Sequence, residues 1–445
     1  MKQRLKENLG NIAQKNPILI LISVYSLIAI AGFLFLCLPF SQKVPVSLID
    51  HLFIATSAVS TTGLTSVSVC DSYTFLGQIV ILLLIQIGGL HYMSFGSMVM
   101  LMGRKKLSKF HEDLVKTDFG LPDDFDIYEF TRSVILFSLL VEAIGAAFLY
   151  VIFRQSGVEQ PLWNAIFHSI SAFCTAGFSL FNNSFENFVS HPLLNIVICA
   201  LSILGAVGFI VVTDYWQVLT KKKVEVTLTT KIIMVFTVSV IAAGTVLLLL
   251  SDSLLSDVAW ADKFWICLFQ SMSAMTTVGF NTFPVQQMSH SALYLMVILM
   301  LVGASPAGTG GGIKSTTVVA VMVQMVSTLR GKRNVTFLGH QIPPYRLRLA
   351  AASFTFYIVL LAGGTYLLNV VDGHSVFEVI FEAASALGTV GLSMGITGTL
   401  SFMGKLVVIL MMMLGRIGPL SIGLAMFYKK DEPDDLGWQE DIVIG

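Results

Sequence analysis

The sequence predicts an all-α integral membrane protein: four parallel helix–re-entrant loop–helix repeats, eight transmembrane helices in a pseudo-fourfold arrangement around one axis. Three observations predict it. The 445 residues are 55% hydrophobic and only 12% charged, with a mean hydropathy of +0.80, whereas soluble domains carry about 25% charged residues. One pattern, S-A-x-x-T-x-G-[FL], occurs four times: SAVSTTGL (57–64), SAFCTAGF (171–178), SAMTTVGF (273–280) and SALGTVGL (385–392). Each copy ends a stretch too short to cross a bilayer, with a phenylalanine (Phe53, Phe167, Phe269, Phe381) four residues ahead of its serine.

The elements follow in order. A basic segment, 1–16, precedes the first long apolar run, 17–40, which lacks a small-residue cleavage site and reads as a retained helix. The motif glycines Gly63, Gly177, Gly279 and Gly391 are spaced by 114, 102 and 112 residues, the period of a duplicated membrane unit. Repeat 1 covers 17–103, repeat 2 128–220, repeat 3 231–330 and repeat 4 348–428, with a tail at 429–445. Each opens with a long apolar segment (17–40, 128–153, 231–250, 348–370) and closes with another (74–103, 192–220, 291–330, 402–428). The stretch before each motif holds roughly 13 residues, about 20 Å of helix, against a hydrocarbon core of about 30 Å. Such segments dip in and return.

Basic residues set the orientation. Of the 27 Lys and Arg, 20 lie between or outside the repeats, while the loops beside the motifs carry Lys43, Arg154, Lys263 and Lys405. The positive-inside rule then puts both termini in the cytoplasm and opens every motif to the outside of the cell membrane. Zero net charge gives no field to recruit nucleic acid. The cysteines (37, 70, 174, 199, 267) have no metal-ligand spacing and read as small core residues.

Irregular backbone at membrane depth is tolerated where it is buried in protein or lines a watery path. Four parallel copies surround one axis, and glycine reaches positive φ at little cost, so successive carbonyls turn inward. Stacked carbonyl rings replace the water shell of a cation. The candidate ion-binding residues are therefore Ser60, Thr61, Thr62 and Gly63; Cys174, Thr175, Ala176 and Gly177; Thr276, Thr277, Val278 and Gly279; and Gly388, Thr389, Val390 and Gly391. The competing reading is a set of small-residue packing seams, which fourfold recurrence disfavours. Acidic outer residues (Asp50, Asp71, Glu159, Glu186, Asp252, Asp257, Asp262, Asp372) either concentrate cations at the mouth or are simply solvated.

This helix–pore loop–helix unit, repeated four times with T-x-G-[FL] ends, resembles the Trk/Ktr/HKT potassium transporters over nearly the whole chain. It is most similar to KtrB-type membrane subunits: no hairpin precedes the first repeat, and the tail EDIVIG is short. The resemblance implies a channel-like transporter carrying K+, with glycine at Gly63 favouring potassium over sodium. It also implies a homodimer on a cytosolic KtrA-like ring of nucleotide-binding subunits, and no organic cofactor. His91 and Tyr92 replace the family's common glycine and phenylalanine.

Within 291–330, the stretch LVGASPAGTGGGIKSTT (301–317) will not hold a helix. It fails as a nucleotide P-loop because Ile313 separates Gly312 from Lys314. Either it is a flexible kink or, as the resemblance implies for 303–315, an intramembrane gate built on Gly308, Gly310, Gly311 and Gly312. Lys314 belongs to that loop or to a cytoplasmic vestibule. Arg416, expected near the middle of the last segment, is costly in a membrane and functional by default. Its expected partners are the carbonyls of the glycine-rich loop or the inner mouth of the motifs. Either it lines the path, as the resemblance implies, or it clamps broken-helix carbonyls.

Other classes fit less well. GLSMG (391–395) matches the G-x-S-x-G pattern of hydrolases, but Ser393 falls where the other copies have Thr65, Ser179 and Asn281. His168 reads as a packed, hydrogen-bonded histidine rather than a proton relay. Many secondary transporters use inverted repeats, and these are parallel. A sodium-permeable or Na+/K+ transporter of the same fold stays open as the rival.

Overall fold

The computed structural model describes residues 17–90, 127–221, 224–251, 258–332 and 334–427. His91, Tyr92, Asp252, Asp257, both terminal segments and part of the linker after the first repeat lie outside the described residues.

Apart from one short turn of helix at Val69–Ser72, the α-helices among the described residues are α1 (Pro17–Leu36), α2 (Leu48–Val59), α3 (Phe75–Gly89), α4 (Ile127–Gln155), α5 (Pro161–Phe173), α6 (Pro192–Val207), α7 (Phe209–Leu219), α8 (Leu228–Ser251), α9 (Trp260–Thr276), α10 (His290–Leu301), α11 (Ser315–Leu329), α12 (Pro344–Val371), α13 (Val376–Leu387), α14 (Phe402–Ile417) and α15 (Pro419–Phe427). A two-residue hairpin (Thr336–Phe337 with His340–Gln341) precedes α12. Local sequence explains the helix starts. Ser47, Thr74, Ser289, Ser375 and Ser401 accept main-chain N–H bonds as N-caps of α2, α3, α10, α13 and α14, satisfying donors that membrane surroundings would leave stranded. Proline opens α5, α6 and α12, where its missing N–H costs nothing.

Among the described residues, α4 (from Thr131), α8 and α12 are long and apolar enough to cross a membrane, and α6 with α7 meets the same test when the two, bent by 90°, are taken together. The interior is apolar, as in a soluble protein, but so is the outer face of the long helices. The long helices present leucines and valines outward, as at Leu136, Leu140, Val235, Val238 and Leu367. The short helices α2, α5, α9 and α13 are enclosed, and Phe53, Phe167, Phe269 and Phe381 are completely buried. Each short helix packs on the long helix before it and on the helix after it. Each following helix also touches the next short helix: α3 on α5, α6 on α9, α10 on α13, and α14 back on α2. The succession closes into a ring.

Glycines permit that closeness. A Cβ at Gly88, Gly205 or Gly415 would collide with the carbonyl oxygen of Val59, Phe173 or Leu387, the last helical residue of α2, α5 and α13. Helix thus meets helix backbone to backbone, as membrane packing favours.

Two breaks depart from the sequence expectation of continuous segments at 192–220 and 402–428. Gly208 (φ +92°) separates α6 from α7, and Gly418 (φ +91°) separates α14 from α15. Both turns need a positive φ that other residues adopt only with strain, and Pro419 disfavours helical geometry at the residue before it. The longest break inside one of the long apolar segments lies between α10 and α11, over 302–314.

The closing contact between the first and last quarters is a buried ion pair. Lys405, in the first turn of α14, donates to Asp50 at 2.6 Å, and Ser47 adds a hydroxyl to the same carboxylate. Removing one partner leaves an unpaired buried charge. Lys405→Met should destabilise the protein by about 3 kcal/mol, read as a lower unfolding temperature in detergent. Adding Asp50→Asn should recover most of the loss; an unchanged melting temperature in Lys405→Met would contradict this account.

Candidate functional site: a closed ring of four loops and the loop beneath it

Each short helix ends in the same local geometry. The main-chain N–H of Thr62, Ala176, Val278 and Val390 returns to the carbonyl of the motif serine five residues back, at 2.8–3.2 Å. The serine hydroxyl holds the next turn as well. Ser57 and Ser385 accept from the N–H of Gly63 and Gly391, while Ser171 and Ser273 donate to the carbonyls of Phe178 and Phe280. This explains the motif serine, and alanine after it keeps the helix end slim.

The threonines are the unexpected part. Thr61, Thr175, Thr277 and Thr389 all have positive φ, between 47° and 60°. A β-branched residue there is a conformational outlier, and sequence reasoning assigned such freedom to the glycines alone. Gly63, Gly177, Gly279 and Gly391 are left-handed too, at φ of 65–93°. Two left-handed residues separated by one other give each of the four loops the same repeating turn. The strain, about 1–3 kcal/mol per residue, recurs in all four copies.

The four loops touch in cyclic order. A Cβ on Gly63 would strike the carbonyl oxygen of Ala176; on Gly177, that of Val278; on Gly279, that of Val390; and on Gly391, that of Thr62. The carbonyls of Thr62, Ala176, Val278 and Val390 therefore form one layer at the seams of a closed ring. Outside the ring lies a cavity of about 300 Å³ lined by Gly63, Gly279, Gly391, Ser393, Asn281 and Glu186.

The remaining candidates flank this layer. Ser60 bonds Thr62 through their hydroxyls at 2.7 Å, and Thr276 donates to Met272 O. Cys174 is buried against Gly89, with its Sγ 3.9 Å from Glu142. Gly388 caps α13.

Beneath the ring, residues 303–313 form a tight loop. Val302 bridges Ile313, Ala304 N donates to Gly311 O, and Ser305 and Ser315 pair through their hydroxyls. Thr309 is its hub. Its hydroxyl donates to Phe173 O and meets the Thr175 hydroxyl at 3.0 Å, and its carbonyl accepts from Thr61. Gly311 N donates to the Thr277 hydroxyl, and a Cβ at Gly311 would collide with Thr389. One loop reaches all four strained threonines. Gly310 is equally close to Thr277, Gly308 to Ala206 O, and Gly312 takes φ +71°. Thr309 was not among the gate candidates, although it is the one side chain with a hydroxyl in AGTGGG (307–312). The loop also docks on the α6–α7 break: Ser305 N to Ala206 O, Thr309 N to Gly205 O, and Phe209 N to Ala307 O.

Arg416 is not mid-helix, because the Gly418 break puts it in the last turn of α14, the negative end of a helix dipole. Its guanidinium donates to Thr309 O, Gly88 O and the Thr61 hydroxyl. It thus ties the loop, α3 and the first ring segment together. Lys314 turns back onto the loop and donates to Gly310 O at 2.8 Å.

Other expectations resolve by geometry. Ser393 donates to the Glu382 carboxyl and accepts from Gly395 N; no histidine bonds it among the described residues. His168 is fully buried, with Nδ1 donating to Asn164 O and Nε2 accepting from Leu180 N. That leaves the ring neutral and without a mobile proton. Of the acidic outer residues, Asp50 is paired with Lys405, Asp71 holds Asn182, and Asp372 accepts from Ser401 N. Glu186 is the member that lines the outer cavity.

The ring contact can be separated from backbone strain alone. Gly177 and Gly157 share a positive φ (65° and 71°), but nothing lies within 4 Å of a Cβ at Gly157. Gly177→Ala should cost about 1–3 kcal/mol more than Gly157→Ala, measured as the difference in their melting temperatures. Equal losses would mean that the segments do not abut.

Residues 4–435 match the family described as TrkH, cation transport protein. The chain is 34% identical to the Ktr system potassium uptake protein B of Vibrio alginolyticus, covering 96% of this chain and 94% of that protein. Its counterpart in Bacillus subtilis (strain 168) is 35% identical, over 89% and 90% of the two chains. The potassium/sodium uptake protein NtpJ of Enterococcus hirae is 30% identical, over 98% and 96%. The crystal structure of the potassium transporter TrkH from Vibrio parahaemolyticus shares the fold, with a TM-score of 0.73, 20% identity, and coverage of 92% and 84%. The chain belongs to the TrkH family of cation transport proteins.

Proposed function

We propose that the chain is the membrane subunit of a potassium uptake system, a channel-like transporter with four parallel repeats and eight spans around one pore. The observation that carries this reading is the closed ring, with its layer of four carbonyls and four left-handed threonine–glycine turns. A potassium ion from the outer cavity exchanges water for carbonyl oxygens of the ring. The short helices direct their negative ends to the space beneath, which favours a cation there. Main-chain oxygens do not titrate, so the site holds its charge character across pH.

The 303–315 loop lies in the way, contacting each ring segment from below, and we assign it the role of gate, with Gly308, Gly310, Gly311, Gly312, Lys314 and Arg416 as its parts. Opening requires the loop to leave Thr61, Thr175, Thr277 and Thr389. Arg416 holds it through a charge-assisted bond to Thr309 O, worth about 1.5–3 kcal/mol. Both termini would face the cytoplasm of the cell, and a homodimer with a cytosolic nucleotide-binding ring would supply control. The names of the Ktr relatives, each one part of a named system, support a partner.

A second reading, transport of both sodium and potassium, is favoured by the name of the Enterococcus hirae relative. Uptake into liposomes containing this chain, with sodium as competitor, separates the two. Potassium preference should fall roughly tenfold in Gly279→Ser, about the worth of one misplaced oxygen ligand. No preference in the parent would sink the potassium reading.

Arg416→Gln tests the gate. Loss of the charge should raise potassium flux about tenfold, since 1.4 kcal/mol shifts a two-state population by that factor. Flux that is unchanged or lower would assign Arg416 to the fold alone.

A further inference from the structure

On each short helix, the residue three positions before the motif serine is fully buried and sits behind the ring: Ile54, His168, Gln270 and Glu382. Three of the four are polar, and each reaches the chain that leaves the ring on the outer side. His168 Nε2 accepts from Ser179 Oγ at 2.9 Å and Leu180 N at 3.3 Å. Gln270 Nε2 donates to Phe283 O at 3.2 Å. Glu382 takes Ser393 Oγ at 2.7 Å on one carboxyl oxygen and Thr397 Oγ1 on the other. Ile54 offers nothing of the kind.

Glu382 carries the sharpest information. It has no ion-pair partner among the described residues and no exposure, a costly place for a carboxylate. Its two hydroxyl partners also meet each other, Thr397 Oγ1 to Ser393 Oγ at 2.9 Å. Three oxygen–oxygen contacts close a triangle, but two hydroxyls bring two protons. A neutral carboxyl supplies the third. It then donates and accepts as an amide does, and the third short helix places an amide, Gln270, at this position.

We propose that Glu382 is a positioning residue for ion selectivity: a neutral acid that braces Ser393 and Thr397 and so holds Gly391 against the carbonyl layer. Ser393 lies two residues beyond Gly391, and both hydroxyl partners line the outer cavity. The inference rests on the potassium-filter reading above.

The test combines potassium-over-sodium uptake in liposomes with hydrogen exchange over 391–398. Glu382→Ala should lower the preference roughly tenfold and speed exchange at Gly395, whose N–H is held by Ser393. Glu382→Gln should restore the preference to within about twofold of the parent, because its amide makes the same neutral pattern. Ser393→Ala should shift selectivity in the direction of Glu382→Ala, by less.

A folded Glu382→Ala protein with the parent's preference and exchange overturns the brace. Glu382→Gln behaving like Glu382→Ala overturns the neutral form. If Glu382→Ala does not assemble, Ser393→Ala and Thr397→Val decide, and parent-like preference in both overturns the proposal. A parent without potassium preference defeats the filter reading, while exchange at Gly395 still reports whether the brace exists.

Discussion

Backbone that enters a membrane and stops short has no water to turn to, so each main-chain N–H and carbonyl must be matched inside the protein. The four short helices end under that constraint, and much of the architecture answers it. The motif serine returns main-chain and hydroxyl bonds to the loop that follows. Glycines on α3, α6 and α14 let a neighbouring helix come close to the last carbonyl-bearing turn. Long apolar helices outside keep lipid away from all of it. In the middle, the carbonyls of Thr62, Ala176, Val278 and Val390 lie together at the seams of the ring, the chemistry that suits a dehydrated cation.

Strain is held by the same means. A threonine at positive φ is unfavourable by itself, but here each is fixed from both sides. The helix end holds it from above, and the 303–313 loop contacts it from below through Thr309, Gly310 and Gly311. The loop gains its place because glycine carries no side chain to exclude it. The four quarters are alike in backbone and unlike in equipment. The third supplies the loop, the second its dock at the α6–α7 break, the fourth Arg416, and the first the Gly88 carbonyl and Thr61 hydroxyl that Arg416 also holds.

Legibility in the sequence followed the physics of each feature. The motif was visible because it repeats, and the gap in α10–α11 because five glycines and a proline cannot form a helix. The breaks at Gly208 and Gly418 were hidden, since a lone glycine in an apolar run is as often a packing contact as a turn. Arg416 stood out by charge, yet its place at a helix end depended on the unseen Gly418 break. Left-handed threonines could not be read at all, because residue type argues against them and only tertiary contacts impose them. Asp50 looked like a mouth charge until the fold brought Lys405 to it from 355 residues away.

The loop's attachment to the α6–α7 break sets what any opening must involve. Three main-chain bonds join residues 305–309 to 205–209. Breaking them in a dry interior would strand six polar groups, at about 1–3 kcal/mol for each one left unpaired. A loop that moved alone would therefore face a barrier far above what Arg416 contributes. Water entering from the inner side lowers that barrier by replacing each partner. Motion of α7 with the loop about Gly208 would keep only the Phe209–Ala307 bond, because Gly205 and Ala206 belong to α6. On the gate reading proposed above, main-chain bonds suit such a contact, since water can replace each partner in turn.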